Sequence, residues 1–355
     1  TKELAKELNQ NIKITLLKCS QSQKDINKAL LSKNLFPLSN APKISSKKII
    51  NCTNIVGLAG VEQITEAINT NADIIICGRS TDASLIASLP IMNGVDKAVA
   101  WHAGKIGECG AFCTTNPKSG VILISFKKNG FFIKPVSNNT KVTPYTVSAH
   151  MVYENSNPFT LIEPGGLLDV KKAIYKKHKD GSVYVTGANW VEDNNYKIKL
   201  EGTKVVGYQS ISIVLIRDES YVRRIKKWSK QVKNKVKEII ENSLSLKKKS
   251  YEIQFRFIGK NATLGSLERK KLEPNEIGVL VIVTAKKQYE CEEISKILNP
   301  LLLHHSIYKN RELPTFSFPL SPPSFKIGKK YEFCLNHVMS LQNPMDIFKL
   351  EKYSI

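Results

Sequence analysis

The sequence predicts an α/β protein, with a parallel, Rossmann-like sheet followed by an α+β, ferredoxin-like unit. The first 120 residues alternate short apolar runs with amphipathic stretches, the rhythm of strands and covering helices. An Asn-Gly pair, Asn129-Gly130, then falls between two apolar runs, Val121 to Phe126 and Phe131 to Val136, and signals a hairpin. From residue 204 the order is strand (204–217), long helix (220–244), strand (250–258), strand (277–285), helix (288–303) and strand (331–338), which matches a split β-α-β unit.

Glu3 to Leu8 reads as a helix already under way, with no initiator Met and no signal or transit stretch, so the chain is expected to lack its natural N-terminus. Ile12 to Leu17 reads as a strand and residues 23–32 as a helix. Lys48 to Cys52 is expected to be the next strand, and Val61, Ile64, Ala67 and Ile68 then recur at helical spacing. Ile74-Ile75-Ile76-Cys77 has the pattern of a strand buried on both faces, with a helix starting near Thr81. Thr143-Pro144 opens a helix to about Asn155, Thr as cap and Pro at its first position. Val183 to Thr186 and Tyr196 to Leu200 read as strands around the turn Glu192-Asp193-Asn194-Asn195. In the long helix, Val222, Ile225, Trp228, Val232, Val236, Ile239 and Ile240 form one apolar stripe that faces a core. Four prolines between Pro314 and Pro323 mark a linker. The expected parts are therefore a parallel-sheet part (1–120), a hairpin and helix insertion (121–203), a ferredoxin-like part (204–310) and a Pro-rich linker with a C-terminal tail (311–355).

Composition narrows the class of function. With 355 residues, 42% hydrophobic and 24% charged, the chain is globular rather than disordered. It contains no apolar run near the ~20 residues that cross a bilayer, so no membrane partner is expected. Seven cysteines at irregular intervals, without a C-x-x-C pair, indicate a reducing compartment: the cytoplasm, or the mitochondrial matrix in a eukaryote. Cys109 and Cys113 are four residues apart, but neither a His nor a second Cys pair completes a metal site, so no metal is assigned. The sequence names no cofactor. A net charge of +22 invites a nucleic-acid reading, yet it comes from 46 Lys and only 7 Arg, whereas base and phosphate readout favours Arg. Apart from Lys226 to Lys237 and Lys247-Lys248-Lys249, the lysines are scattered and read as a solvated face. Such a surface still draws a phosphate-bearing small molecule.

In open parallel sheets ligands bind beyond the carboxyl ends of strands. That makes Gly78-Arg79-Ser80-Thr81-Asp82 the first candidate. Gly78 permits a sharp turn, Ser80, Thr81 or Asp82 can cap the next helix, and Arg79 can clamp a carboxylate or phosphate bidentately. A capped turn with a surface Arg is the competing reading. The second candidate is the segment with Trp101, His102, Lys105, Glu108 and Cys109, in which Trp101, Lys105 and Glu108 share a helix face and His102 lies beside Lys105. Gly104, Gly107 and Gly110 recur there at intervals of three, and each costs ~1 kcal/mol inside a helix, which implies close helix packing or a ligand against bare backbone. His102 with Glu108 or Asp82 suits proton transfer, although a lone His on a helix also serves as a core residue. His150 and Glu154 form a third pair, four apart, for proton transfer or a local ion pair. Glu163-Pro164-Gly165-Gly166 looks like an ordered turn. No phosphate-binding glycine loop, dinucleotide fingerprint or nucleophile elbow is present.

These segments resemble a known family. Val56-Gly57-Leu58-Ala59-Gly60-Val61-Glu62, Ala72 through Asp82, and Ala100 through Ala111 are similar to the acyclic terpene utilisation (AtuA-like) proteins. Ser148 through Asn155, Leu200-Glu201-Gly202, Val206-Gly207-Tyr208-Gln209 and Ile216-Arg217-Asp218 fit the same pattern, so the likeness spans roughly residues 1 to 300. Asn336-His337-Val338 through Phe348 is similar to the tail that some members carry. Family members begin with a glycine-rich strand and further residues that this sequence lacks. The resemblance implies catabolism of acyclic terpenoid or related branched acids, as acyl-CoA thioesters. The resemblance names no chemical step; from the residues themselves, Asp82, His102 and Glu108 are the expected catalytic residues, in a hydration, dehydration or other lyase-type step. Gly78, Arg79, Ser80, Thr81, Lys105 and His150 are expected to bind a small-molecule carboxylate or acyl-CoA. A homo-oligomer is compatible with this, and the alternatives are a non-catalytic assembly partner of a carboxylase or transferase and a basic nucleic-acid-binding protein.

Overall fold

The computed structural model describes residues 2–355 apart from Glu154, Ser156, Ser245, Lys248, Lys271 and Leu272. Its contacts divide the chain into two compact units, one running to Thr203 and resuming at Phe333–Ile355, the other Lys204–Glu332. Along the chain the elements begin α1 (Lys2–Glu7), β1 (Lys13–Lys18), α2 (Gln23–Leu31), β2 (Leu35–Pro37), α3 (Ser46–Ile50), β3 (Asn54–Gly57), α4 (Val61–Ile68), β4 (Ile74–Cys77), α5 (Asp82–Met92) and α6 (Lys97–Gly107). There follow β5 (Ile122–Lys127), β6 (Gly130–Pro135), α7 (Pro144–Ala149), β7 (Thr160–Glu163), β8 (Gly166–Asp169), β9 (Ile174–Lys177), β10 (Val183–Thr186), β11 (Asn189–Glu192) and β12 (Lys197–Ile216). The remainder is α8 (Glu219–Arg223), α9 (Ile225–Ser243), β13 (Tyr251–Ile258), β14 (Ile277–Ala285), α10 (Gln288–His304), β15 (Ser324–Ser340) and β16 (Lys349–Ser354).

The protein is thus mixed α/β, with several sheets, and antiparallel pairing is prominent. In the first unit, β1 and β4 pair in parallel with Leu17 opposite Cys77, and β16 joins the other side of β1 antiparallel. The expected strand at 48–52 is a helix instead. Ser45 accepts the Lys48 N–H as an N-cap, and that local bond overrides the β-preference of Ile49 and Ile50. The strand forms one turn later as β3, which pairs antiparallel with β12, Gly57 opposite Leu200. Nor is β4 covered on both faces: it lies at the edge of its sheet, and Ile76 is 48% exposed. Val183 to Thr186 forms β10 as expected, but its neighbours are β6 and β9, and the intervening β11 pairs with β8.

The hairpin of β5 and β6 closes with Lys127 opposite Gly130. Its loop is Lys128-Asn129, neither of which has a positive φ, so the Asn-Gly pair located the hairpin without forming its turn. Gly130 is needed for another reason, because a Cβ there would stand 2.2 Å from the Val185 carbonyl of β10. Helix α6 runs through the core beneath these sheets, and Ala98 through Gly104 are all buried. Asp96 caps it by accepting the Val99 N–H at 3.2 Å. A Cβ on Gly104 would meet the Ala83 carbonyl of α5 at 2.4 Å, and one on Gly107 the tip of Ile86 at 2.8 Å. The glycine series therefore serves close helix packing rather than a ligand.

In the second unit, β13, β14 and the 204–216 part of β12 pair antiparallel in that order, and β15 neighbours β12. The apolar stripe of α9 and one face of α10 cover this sheet, with Trp228 fully buried and its Nε1–H donating to the His305 carbonyl at 3.0 Å.

Candidate active site

The site is assembled from the first unit. The loop after β4 is fastened to the loop after β3. Ala59 N–H donates to the Arg79 carbonyl at 3.0 Å, Thr81 N–H donates to the Ala59 carbonyl at 3.0 Å, and Gly78 N–H donates to the Leu17 carbonyl at 3.0 Å. The Cys19 thiol adds a bond to the Arg79 carbonyl at 3.1 Å. Ser80 is buried in this zipper. The Arg79 side chain is half exposed and points to Glu201, Nε to Oε2 at 3.6 Å, and the same carboxylate takes Lys199 at 2.7 Å. Thr81 occupies the N-cap position of α5, yet its hydroxyl caps nothing.

One turn of α6 supplies the cation. Lys105 Nζ lies 2.8 Å from Glu108 and 3.7 Å from Glu163, and all three side chains are largely buried. Glu163 ends β7, where Glu163 pairs with Gly166 across a Pro164-Gly165 loop. Pro at the first loop position and Gly165 with φ +83° at the second make a type II turn. Alternation along β7 points Leu161 and Glu163 inward and leaves Ile162 84% exposed. A carboxylate thus holds a position where the pattern calls for an apolar side chain, and an Ile stands where a polar one is expected.

The charges follow from this burial. Burial pushes the Glu163 carboxyl up, the Lys105 ammonium pulls it down and Glu108 pushes it up again, leaving it at about 7. Burial would lower Lys105, but its hydrogen bond to Glu108 and the charges of Glu163, Glu108 and Asp82 outweigh that and raise it, so Lys105 is an ammonium. His150 is pulled down by burial, partly countered by the Lys105 backbone carbonyl and reinforced by the Lys105 charge, and its imidazole is neutral at pH 7. Thr81 and Glu163 line a cleft of about 700 Å³ whose walls include Phe36, Leu38, Leu58 and Ile162. That volume falls within the range of small-molecule sites, which are mostly apolar with a few convergent polar groups.

Of the residues singled out from sequence, Asp82, Glu108 and His150 gather around Lys105, and Thr81 and Lys105 flank Glu163, which the sequence places only in a turn. His102 does not join them. It is 1% exposed, its Nε2 lies 3.1 Å from the Tyr175 hydroxyl, and its ring meets Phe131 and Tyr175 edge-on. Burial lowers its pKa to about 3, so it is a neutral core residue. Glu154, the proposed partner of His150, lies outside the described residues, and α7 ends at Ala149, followed by a short 3-10 turn over His150–Val152. Cys113 is buried beside Ile106 and burial pushes its thiol up to about 12. Among the described residues no group of three or more His, Cys, Asp or Glu is placed to hold a metal ion, and no helix is long and apolar enough to cross a membrane.

No curated protein and no solved structure matches the chain. The family model for "Acyclic terpene utilisation family protein AtuA" matches residues 1–307, and that stretch contains the loop after β4, the Lys105 cluster and most of the cleft wall. The chain belongs to the acyclic terpene utilisation (AtuA) family.

Proposed function

We propose that this protein is an acid–base enzyme in the breakdown of acyclic terpenoid or related branched carboxylic acids, acting on their acyl-CoA thioesters in a hydration or dehydration step. One observation carries the proposal: Glu163 is buried at the cleft, beside an ammonium, with a pKa near neutrality. A carboxyl poised there can both give and take a proton at working pH, which a general acid–base needs. Lys105 holds the anionic form of Glu163 and presents positive charge to a developing enolate oxygen. Asp82 and Glu108 keep Lys105 protonated. The apolar wall of Phe36, Leu38, Leu58 and Ile162 suits a methyl-branched chain. Lys199 on the cleft wall and Arg79, both paired with Glu201, are assigned to the phosphates of the CoA arm, which would draw them from that carboxylate. We also infer a Rossmann-like ancestry for the β1–β4 pair and a ferredoxin-like unit for residues 204–332, supported in the latter by the order β13-β14-β12-β15 with α9 and α10 between strands.

The test is carbon–hydrogen exchange. The protein is incubated in D2O with 3-methylbut-2-enoyl-CoA, and deuterium uptake on the acyl chain is followed by mass spectrometry. Uptake by the wild type, and its loss in Glu163→Gln, is the expected result. No uptake by the wild type, or equal uptake in the variant, overturns the proposal.

A further inference from the structure

Strand β13 ends its sheet and pairs on one side only, with β14. Native edges of this kind are closed by shortness, a bulge, a proline or a lysine on the strand itself. Here the pairing runs unbroken over 8 residues, with neither Pro nor Lys among them. The Phe257 carbonyl accepts the N–H groups of Lys260, Asn261 and Ala262 at 3.0, 3.0 and 3.1 Å, so Phe257 turns its backbone away from β14. An antiparallel ladder alternates, so Tyr251, Ile253 and Phe255 turn theirs the same way. No bond beyond the sheet satisfies the N–H and C=O groups of these three among the described residues.

Beside that edge runs a groove of about 360 Å³, lined by Phe255 and Phe257 of the strand and by Ser229, Lys230 and Lys233 of α9. Lys226, Lys230, Lys233 and Lys237 recur at helical spacing and form one stripe of α9 that flanks its buried face. None of the four is in an ion pair among the described residues. Burial and the charge of Lys237 pull the Lys233 pKa down, and Glu252 alone opposes them. The groove therefore joins an open backbone edge to uncompensated positive charge. An extended acidic peptide answers both, because its main chain completes the ladder and its carboxylates meet the lysines. A second copy of this chain does not, since pairing β13 with β13 sets one lysine stripe against another. Nucleic acid answers the charge and leaves the ladder open.

We propose that the groove between β13 and α9 binds an extended acidic segment of another protein by strand addition. Every second side chain of the added strand lies on the helix side, so the segment carries Glu or Asp at alternate positions around an apolar residue that meets Phe255. The surface uses none of the residues around Glu163 and holds whether or not that cleft is catalytic.

The probe is the labelled peptide Thr-Glu-Thr-Val-Thr-Glu-Thr, titrated with the full chain and followed by fluorescence anisotropy. It is expected to bind, more weakly as salt rises, and to slow hydrogen exchange at the Ile253 and Phe255 amides. The same peptide with Lys in place of Glu binds about tenfold more weakly or worse, and so does the acidic peptide with Lys230→Glu and Lys233→Glu together. Peptide N-methylation needs no protein variant. Methyl groups on alternate nitrogens weaken binding about tenfold in one register and are tolerated in the other, because only one set faces β13. No binding at about 1 mM peptide, equal affinity for the acidic and basic peptides, or equal tolerance of both methylated registers overturns the proposal. Tighter binding of oligothymidylate than of the acidic peptide also overturns it, and makes the stripe a nucleic-acid surface instead.

Discussion

Glu163 and Lys105 face each other across 3.7 Å on two elements far apart in sequence, the end of β7 and the last turns of α6. Each governs the other's proton. The ammonium keeps a buried carboxyl from rising further, and the carboxylates around Lys105 prevent burial from neutralising it. Mutual control of this kind produces a proton donor near neutral pH.

Replacing Glu163 by Gln changes stability in a pH-dependent way. Glu163 ionises near 4.5 in the unfolded chain and at about 7 when folded. A raised folded pKa means that its stabilising contribution is complete below the unfolded value and is lost as pH rises through the folded one. Wild type and variant therefore unfold at similar urea concentrations at acid pH. At alkaline pH the variant is more stable by up to about 3 kcal/mol, a figure that already includes the pull of Lys105. Coincident midpoints on both sides of neutrality would show that the carboxyl is not held out of solvent.

His102→Phe separates a core histidine from a catalytic one. The loss of the Tyr175 bond costs about 1–2 kcal/mol at neutral pH. Because the folded pKa of His102 is depressed to about 3, its contribution is present above the unfolded value near 6.5 and is lost as pH falls toward 3. The variant consequently loses less stability between neutral and acid pH than the wild type does. Deuterium exchange into 3-methylbut-2-enoyl-CoA stays within about twofold, and a collapse of exchange in a folded variant would return His102 to the reaction.

Two glycines of α6 predict unequal costs. Gly104→Ala drives a methyl into the Ala83 carbonyl, a backbone atom that moves only with α5, and costs about 2–3 kcal/mol. Gly107→Ala meets the flexible end of Ile86, and the better helix propensity offsets the crowding, so the change is under about 1 kcal/mol. Thermal unfolding of the pair checks the order, and a reversal would mean that α5 and α6 are packed less closely.

Ile162→Ser tests the cleft wall without disturbing the fold. The side chain is 84% exposed, so stability changes by less than about 0.5 kcal/mol. Affinity for 3-methylbutanoyl-CoA drops about tenfold if the branched chain lies against it. Unchanged affinity would move the acyl chain elsewhere.

Periodicity and capping made much of the local structure legible. The Thr143 cap and the stripe containing Trp228 and Val232 are local or one-sided patterns that sequence alone expresses. Lys48 to Cys52 misled because a single serine cap outweighed two isoleucines. Five residues of the cluster were visible since they lie within a few residues of the end of β4, in α6, or directly after the ends of α6 and α7. Glu163 was not, because its role depends on the inward side of a four-residue strand, and nothing in Thr-Leu-Ile-Glu tells which side that is. The inversion of an exposed Ile beside a buried Glu shows only once the strand is folded. His102 shows the reverse: a helix surrounded by core gives its histidine no open face.

One lysine among three carboxylates leaves the cluster behind Glu163 short of positive charge, even with Glu163 protonated. A free acid entering carboxylate-first would be repelled there, whereas a thioester presents an uncharged carbonyl. Under the proposed function, activation of the acid as a thioester is then an entry ticket set by electrostatics, and uncharged amide mimics should outcompete the corresponding free acids as inhibitors.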